Sequence, residues 1–330
     1  MYYNEFKSPA IIKTGNNILG NIDELLKVAH LYFPKKFLVT QENLFEAYKD
    51  DLSKNKFEKI IIVRGGFIDE APKLIEEIRN TDAIVLAFGG GSVLDIVKYC
   101  ASKCDIPYLT VPSTLSNDAV YSCVARLSDE GKKRSYGVQP PTGIIVDLEV
   151  VKKSPKELLL AGVADLVSNL SAIEDWKLAH KNIGEPINEL AFMLSKEAAL
   201  PLFNYKEQDL FSDDFLFDLT NSIITSGLAM IIGGNTRMTS GAEHLISHAV
   251  DEFFPDRSTI HGIQVGWAHL IIERDYRHNN EQYQLLYNFY SRIGLINIFN
   301  KYISWTEGDL KMLVPYAMKI RNRYTIFNTI

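Results

Sequence analysis

The sequence predicts an α/β domain built on a parallel sheet, followed by an all-α domain. Two observations lead to this prediction. In the first half, short apolar runs rich in β-branched residues alternate with segments of helical period, which is typical of parallel strands covered by helices on both faces. In the second half only the helical period recurs. We place the boundary near Val150, so the predicted domains are residues 1–150 and 151–330.

The strands of the first domain are predicted from runs that are apolar throughout. Five of them precede residue 112: AIIK, KFLVT, KIIIV, AIVLAF and YLTV, which end at Lys13, Thr40, Val63, Phe88 and Val111. The intervening segments carry apolar residues on one helical face, as at Leu74, Ile75 and Ile78. Polar residues, glycines and prolines then predict a hairpin-like excursion before a last strand, GIIVD, which ends at Asp147.

Helix-start signals and helical patterns define the second domain. Ser154-Pro155-Lys156-Glu157 predicts the start of a long helix. Further helical patterns cover residues 187–200, 215–232, 262–274 and 281–293. Ser240, with Glu243 three residues later, forms a capping-box pattern, so we expect another helix to start at Ser240.

The composition favours a cytoplasmic protein that acts on small molecules. The chain has 330 residues and a formal net charge of −6, which gives no electrostatic footprint for nucleic acid or an anionic membrane surface. We find no signal peptide in the first ten residues and no apolar run of membrane-spanning length. The three cysteines form neither a CxxC pair nor an even framework, so we expect free thiols. The expected partners are small molecules and other copies of the chain.

A glycine-rich turn is the clearest motif of the first domain. In FGGGSVLDIVK, residues 88–98, a strand runs through three glycines directly into a helix. Backbone amides at such a helix N-terminus bind anions, and a pyrophosphate fits there. A tight structural turn is the alternative, because the pattern is not GxGxxG. The next strand ends in VPSTLSNDAVYS, and polar residues at this sheet edge favour a nucleotide crevice.

Three of the seven histidines lie in residues 240–262, SGAEHLISHAVDEFFPDRSTIHG. His244 and His248 lie one helical turn apart, and His261 follows a turn that contains proline. Imidazoles at this spacing suit zinc or a similar divalent ion, which also requires a carboxylate or thiolate from elsewhere. The alternative is that they are polar helix residues bonded to backbone or water. Clustering favours the metal site, with all three histidines as candidate ligands.

Five motifs together resemble one known superfamily. FGGGSVLDIVK, PSTLSND, AGVADLVSN, SGAEHLISHA and TIHG resemble the iron-containing alcohol dehydrogenase and dehydroquinate synthase superfamily, over residues 59–266. The resemblance implies a dehydroquinate synthase-like fold, with a Rossmann-like N-terminal domain, a helical C-terminal domain and the active site between them. The second histidine of SGAEHLISHA and the near-terminal RNRYTIF resemble the branch that acts on phosphorylated glycerol.

The resemblance also implies roles for individual residues. Asp165 would be the carboxylate ligand of a metal held with His244 and His261. His248 would then contact the substrate and not the metal, and Asp118 would be the substrate aspartate. The residues implied at an NAD or NADP cofactor are Gly89, Gly90, Gly91, Ser92, Val93, Asp95, Ser113, Ser116 and Ser122.

We therefore expect a metal-dependent oxidoreductase that reduces dihydroxyacetone phosphate to sn-glycerol 1-phosphate with NADH or NADPH. The ligand types favour zinc and also accept nickel or iron. Three alternatives stay open: a polyol or other alcohol dehydrogenase, a cyclising lyase that regenerates its cofactor internally, and a non-catalytic nucleotide-binding regulator. Ala119, where the family often has glycine, and Tyr121, where smaller residues are usual, are departures that affect the pocket's shape.

The other tempting residues have ordinary interpretations. We interpret the basic run at residues 132–134 as a solvated turn. The remaining histidines we interpret as surface or ordinary helix residues: His30, His180, His269 and His278.

Overall fold

The computed structural model describes residues 8–330. Residues 1–7, on which part of the signal-peptide prediction falls, lie outside the described residues. The chain forms two compact units: the first runs through Leu115 and resumes over Ala119–Ser154, and the second contains Ser116–Asp118 and Pro155–Ile330. The first is α/β and the second is helical, which confirms the predicted fold class. The assignment of nucleotide binding to one domain and metal binding to the other stays a prediction.

The first unit is built on a six-stranded parallel sheet. All six predicted strands are present, and the predicted excursion is an antiparallel hairpin. The strands are β1 (Ile11–Gly15), β2 (Lys35–Thr40), β3 (Lys59–Ile62), β4 (Ala83–Gly89), β5 (Tyr108–Pro112), β6 (Val124–Asp129), β7 (Lys132–Gly137) and β8 (Gly143–Asp147). The sheet order is β1-β8-β5-β4-β2-β3, and β6 pairs with β7. The central strands β4, β5 and β8 are buried along their whole length, as expected of parallel strands covered on both faces.

The helices of the first unit fill the connections between strands. They are α1 (Ile22–Val28), α2 (Glu42–Ala47), α3 (Lys49–Leu52), α4 (Ala71–Ile78), α5 (Gly91–Cys104) and α6 (Leu148–Val151). At the end of β8 the buried Asp147 carboxylate accepts hydrogen bonds from the backbone N–H groups of Leu19, at 2.8 Å, and Glu149, at 2.9 Å. One side chain therefore fixes the loops that follow β1 and β8.

The basic run at residues 132–134 is not a turn. It lies in the exposed strand β7, and the turn falls just before it, at Glu130 and Gly131, whose φ angles are 50° and 80°. The three free cysteines agree with the prediction, and Cys100 and Cys123 are buried.

The second unit consists of packed helices and short 3₁₀ turns. Its helices are α7 (Lys156–Val167), α8 (Asn169–Ile183), α9 (Glu189–Ala199), α10 (Asp213–Gly233), α11 (Ala242–Phe253), α12 (His261–Asp275), α13 (Asn280–Arg292), α14 (Leu295–Tyr302) and α15 (Glu307–Ile320). Helix α12 packs on α7 and α11, and α15 packs on α11. Within residues 8–330 only α10 is long and apolar enough to cross a bilayer, and 67% of its most apolar window is buried.

The predicted start of the histidine-bearing helix is wrong by two residues. Helix α11 begins at Ala242 with Gly241 as its N-cap, and the Ser240 hydroxyl makes no cap. The Glu243 carboxylate does reach back, but it accepts the Gly241 N–H at 2.6 Å. Because Arg323 binds the carbonyl oxygen of Ser240, a distant contact and not the local capping pattern holds this residue outside the helix.

Candidate metal centre and cofactor loop

Three donor side chains converge in the second unit. Asp165 lies on α7, His244 on α11, and His261 is the first residue of α12. Nε2 of His244 is 3.2 Å and Nε2 of His261 is 3.9 Å from Oδ1 of Asp165. One donor atom from each residue lies within 4.8 Å of the other two. Donors around a tetrahedral zinc ion, at about 2.1 Å from the metal, lie roughly 3.4 Å apart, so the cluster is close to a ligating arrangement.

The carboxylate of Asp165 is the strongest sign that a cation fits here. Its Oδ1 is buried, and no donor in the described part of the chain makes a hydrogen bond to it. Nε2 of His244 is near but is not aligned with it as a hydrogen bond. A buried acceptor without a donor costs about 1–3 kcal/mol, which a neighbouring cation, either protonated His244 or a bound metal ion, would offset. One carboxylate and two imidazoles suit a divalent ion and leave a coordination position open.

Both imidazoles are oriented by a second hydrogen bond. Nδ1 of His244 is 2.9 Å from Oε1 of Glu243, and Nδ1 of His261 is 2.8 Å from Oγ of Ser247. In the neutral form of each ring, with Nδ1 as the donor, Nε2 carries the lone pair that a metal ion would use, and it faces Asp165. Metal-binding histidines usually have such a partner, which fixes the ring orientation and the tautomer.

Burial and neighbouring charges shift the pKa values of Glu243 and His244 in opposite directions. Burial raises the pKa of Glu243, but the hydrogen bond and charge of His244, with the Gly241 N–H, outweigh it and lower the pKa to about 2. Burial lowers the pKa of His244, but the carboxylates of Asp165 and Glu243 outweigh it and raise the pKa to about 9. The metal-free site therefore holds a proton on His244 that an incoming metal ion must displace.

Replacing Ser247 with alanine should weaken metal binding by about 10–100-fold, the usual cost of losing an orienting partner. The imidazole of His261 would lose its Nδ1 hydrogen bond to Ser247 Oγ. Metal affinity is measured by competition with a chromogenic chelator at fixed pH. Ser291→Ala, at an exposed position on α13, is the matched control. Equal affinities in the two variants would show that Ser247 does not orient His261.

The other two predicted site residues lie at the edge of this cluster. Asp118 lines a small pocket whose other lining residues include Asp165, Asn169 and His244. His248 stacks on His261, with ring centroids 5.6 Å apart, and its Nδ1 lies 3.1 Å from Nη2 of Arg321. The structure thus brings Asp118 and His248 to the candidate metal centre, while their roles toward a substrate stay predictions.

The glycine-rich turn has the geometry of an anion site. Gly89 ends β4, and the extended Gly90 is the N-cap of α5 without any side-chain cap. A Cβ on Gly89 would lie 2.7 Å from the side chain of Val93, so the packing of helix on strand requires glycine. The N–H of Val93 donates to the Gly90 carbonyl oxygen at 3.0 Å, so the N–H groups of Gly91 and Ser92 are the ones at the start of α5 that can bind an anion. The N–H of Ser113 donates to the Gly89 carbonyl at 2.9 Å, which joins the two polar loops.

Several predicted cofactor residues have partners inside the first unit. The Lys98 ammonium donates to the Ser122 hydroxyl at 2.9 Å and lies 3.2 Å from Oδ1 of Asp95. Burial raises the pKa of Asp95 although Lys98 opposes it. Ser122 and Val93 are fully buried, and Ser116 groups with the second unit. Ser122 and Asp95 therefore help to hold α5 against β6, and their contact with a cofactor stays a prediction.

The sequence interpretation missed a second glycine turn. Gly65 and Gly66 follow β3 with φ angles of 80° and 82°. A Cβ on Gly65 would lie 3.2 Å from backbone atoms of Ser92 and Val93, at the start of α5. The signal was present, because RGG directly follows the apolar run KIIIV.

His269 is a helix residue but not a surface one. It lies on α12 and is fully buried, and burial lowers the pKa of its imidazole to about 3. Its Nε2 is 3.9 Å from Oε1 of Glu273, whose pKa burial raises to about 7. The structure describes no metal-type cluster that includes His269. It is a helix residue, as the sequence indicated, while its burial was not foreseen.

Comparison with known proteins agrees with this fold and site. Residues 13–155 match a family model described as iron-containing alcohol dehydrogenase. The glycerol-1-phosphate dehydrogenase [NAD(P)+] of Pyrococcus horikoshii is 35% identical over 82% of this chain and 79% of its own length. That of Picrophilus torridus is 34% identical over 99% and 94%. A solved glycerol dehydrogenase from Schizosaccharomyces pombe has the same fold, with a TM-score of 0.77 at 19% identity, over 99% of this chain and 86% of that one.

A parallel-sheet unit with a glycine turn at a helix N-terminus, and a helical unit with a carboxylate–imidazole cluster, suit a nucleotide-dependent metal dehydrogenase. The chain belongs to the iron-containing alcohol dehydrogenase family, in the group of its glycerol-1-phosphate dehydrogenase relatives. It is therefore an NAD(P)-dependent oxidoreductase.

Proposed function

We propose that the protein reduces dihydroxyacetone phosphate to sn-glycerol 1-phosphate with NADH or NADPH and uses one divalent metal ion. Zinc is the metal ion that we propose first. The observation that carries the proposal is the cluster of Asp165, His244 and His261, in which a buried carboxylate oxygen without a hydrogen-bond donor faces two oriented imidazoles. The choice of substrate is supported by the relatives that are 34–35% identical to the chain, which are glycerol-1-phosphate dehydrogenases.

The side chains of the cluster suit a divalent metal ion, and ketone reduction needs the chemistry that such an ion supplies. When bound, the ion supplies Lewis-acid polarisation of the carbonyl group, which is worth several kcal/mol of transition-state stabilisation. Glu243 and Ser247 hold the two imidazoles in place through Nδ1. The resulting site has fixed charges and dipoles, so little reorganisation is needed as negative charge develops on the substrate oxygen.

Two further residues would handle the substrate. The Asp118 carboxylate, beside the cluster in the same small pocket, would accept hydrogen bonds from a substrate hydroxyl. His248 accepts the Arg321 N–H at its Nδ1, so its proton lies on Nε2, from which it would donate a hydrogen bond to a substrate oxygen. The reduced nicotinamide supplies the hydride. The product gains that hydride at carbon and one proton at oxygen; solvent is the source of this proton, and the His248 hydrogen bond would hold the oxygen that receives it.

The cellular location and the oligomeric state of the enzyme belong to the same proposal. The net charge of −6 fits a small-molecule enzyme that binds neither nucleic acid nor an anionic membrane surface. We propose a cytoplasmic location and a homo-oligomer. Size-exclusion chromatography with light scattering tests the second statement, and a monomer at micromolar concentration would contradict it.

One assay tests the function. Purified protein is given dihydroxyacetone phosphate with NADH or NADPH, with and without a chelator, and the chirality of the product is determined. We expect oxidation of the nicotinamide, loss of the rate with chelator, its return with added zinc, and sn-glycerol 1-phosphate as product. Faster reduction of unphosphorylated dihydroxyacetone would favour a polyol dehydrogenase. Turnover of a cyclisable phosphorylated sugar acid without net change in nicotinamide absorbance would favour the lyase.

A further inference from the structure

We infer that Arg321 binds the phosphate group of the substrate and so selects phosphorylated over unphosphorylated ketones. The inference rests on the proposed function, because it requires a phosphorylated substrate. Arg321 follows α15 directly, and its guanidinium reaches His248, which stacks on the candidate metal ligand His261. His248 thus lies between the metal cluster and a permanent positive charge.

The order of these groups matches the order of groups along the substrate. In dihydroxyacetone phosphate the carbonyl carbon and the phosphorus are separated by one carbon and one oxygen. A residue that binds the phosphate must therefore lie about one side chain away from the group that binds the carbonyl oxygen. His248 supplies that spacing, since its ring centroid is 5.6 Å from that of His261 and its Nδ1 is 3.1 Å from Nη2 of Arg321.

Hydrogen bonding makes both side chains donors toward the substrate. Arginine cannot accept, so Nδ1 of His248 is the acceptor in their contact and Nε2 carries the proton. A guanidinium has five N–H donors, and in Arg321 one of those on Nη2 contacts His248. The planar fork matches two phosphate oxygens at once, which a neutral ketone or hydroxyl group does not offer.

The backbone around Arg321 is fixed by buried polar contacts. Arg323 binds the Ser240 carbonyl oxygen and donates to the Thr236 hydroxyl at 2.9 Å. The carbonyl oxygen of Tyr324 accepts from Arg237 at 2.6 Å. These contacts tie an irregular segment to the loop before α11. A stretch without regular structure is thereby held in a fixed position beside the helix that carries His244 and His248.

Three arginines act on one another in this segment, although the whole chain is acidic. Burial and the charges of Arg321 and Arg237 together lower the pKa of Arg323 to about 9, against the opposing charges of Glu243 and Glu185. Arg237 is paired with Glu185, so a dianion at Arg321 would chiefly relieve the repulsion between Arg321 and Arg323. Phosphate dianions are the ligands that such arginine groups bind best.

The test compares two substrates in Arg321→Gln, which keeps hydrogen bonding but removes the charge. We expect kcat/KM for dihydroxyacetone phosphate to fall about 10–100-fold, as for a lost charge-assisted hydrogen bond, with kcat/KM for dihydroxyacetone changed less than about threefold. Competitive inhibition by inorganic phosphate should weaken in parallel. Arg321→Lys should retain part of both. Arg292→Gln, on α13 with contacts to the carbonyl oxygens of Phe203 and Tyr205, is the charge-matched control.

The outcomes separate this inference from the proposed function. If Arg321 only positions His248, both substrates lose rate equally and phosphate inhibition stays unchanged, which would overturn the inference alone. A wild-type enzyme that prefers unphosphorylated dihydroxyacetone would overturn the proposed function, and the inference with it. Metal content is measured in every variant, so that a rate loss caused by an empty metal site is recognised and corrected before the substrates are compared.

Discussion

Replacing His244 with alanine should abolish tight metal binding and lower kcat for ketone reduction by at least about 100-fold, since the metal's Lewis-acid effect is worth several kcal/mol and each 1.4 kcal/mol is tenfold in rate. His244 provides one of three donor atoms that lie within 4.8 Å of one another. Its loss also leaves Glu243 buried without the imidazole partner that lies 2.9 Å away. We therefore expect some loss of stability in addition to the loss of metal.

Mass spectrometry measures the metal content of the variant, and steady-state kinetics measure its kcat for ketone reduction. His180→Ala is the matched control, because His180 is exposed on α8 and its Nδ1 lies 2.8 Å from the carbonyl oxygen of the nearby Glu185. Asp165→Asn separates charge from shape, since it keeps the side chain's size and removes the anion. Wild-type rates and metal content in His244→Ala would remove the basis for the proposed metal centre.

The sheet was predictable because its signal is local. Each central strand, such as Ala83–Gly89, is buried along its whole length and reads as one apolar run. The order of the strands along the chain does not determine their order in the sheet. Nothing in the sequence states that β8 lies between β1 and β5, because strand order depends on how distant segments pack. The predicted residues 187–200 and 215–232 likewise correspond to α9 and α10 with small differences at their ends.

The candidate site was predictable only in part. The spacing of His244 and His248 indicated a shared helix face, but three histidines looked equivalent until the resemblance added Asp165 and set His248 apart. The structure adds partners that no spacing could indicate, such as Ser247 at His261 and Arg321 at His248. Arg321 follows His248 by 73 positions. Side chains that far apart meet through the packing of α15 on α11.

Replacing Gly262 with alanine should disrupt the metal centre, although Gly262 is not a candidate ligand. Helices α7 and α12 cross where Gly262 faces Ala161, and an added Cβ would lie 2.1 Å from the Ala161 carbonyl oxygen and 2.7 Å from its carbon. Backbone cannot yield as a flexible side chain can, so α12 must move. Gly266, one turn on, is also tight, with its Cβ position 2.6 Å from the side chain of Ala164. Such overpacking costs about 1–3 kcal/mol or more.

Because His261 precedes Gly262 and Asp165 lies one turn from Ala161 on α7, that movement separates two candidate ligands. We expect Gly262→Ala to lower the melting temperature by several degrees and to weaken metal binding by at least about tenfold, the effect of 1.4 kcal/mol. Calorimetry of the metal-free and metal-loaded protein measures both. Gly308→Ala on α15 is the matched control, because the nearest neighbour of the added Cβ would be the Thr306 hydroxyl at 3.9 Å. Alanine at this position should stabilise the helix by up to about 1 kcal/mol. If Gly262→Ala binds metal like Gly308→Ala, the contact between α7 and α12 does not hold the ligands in place.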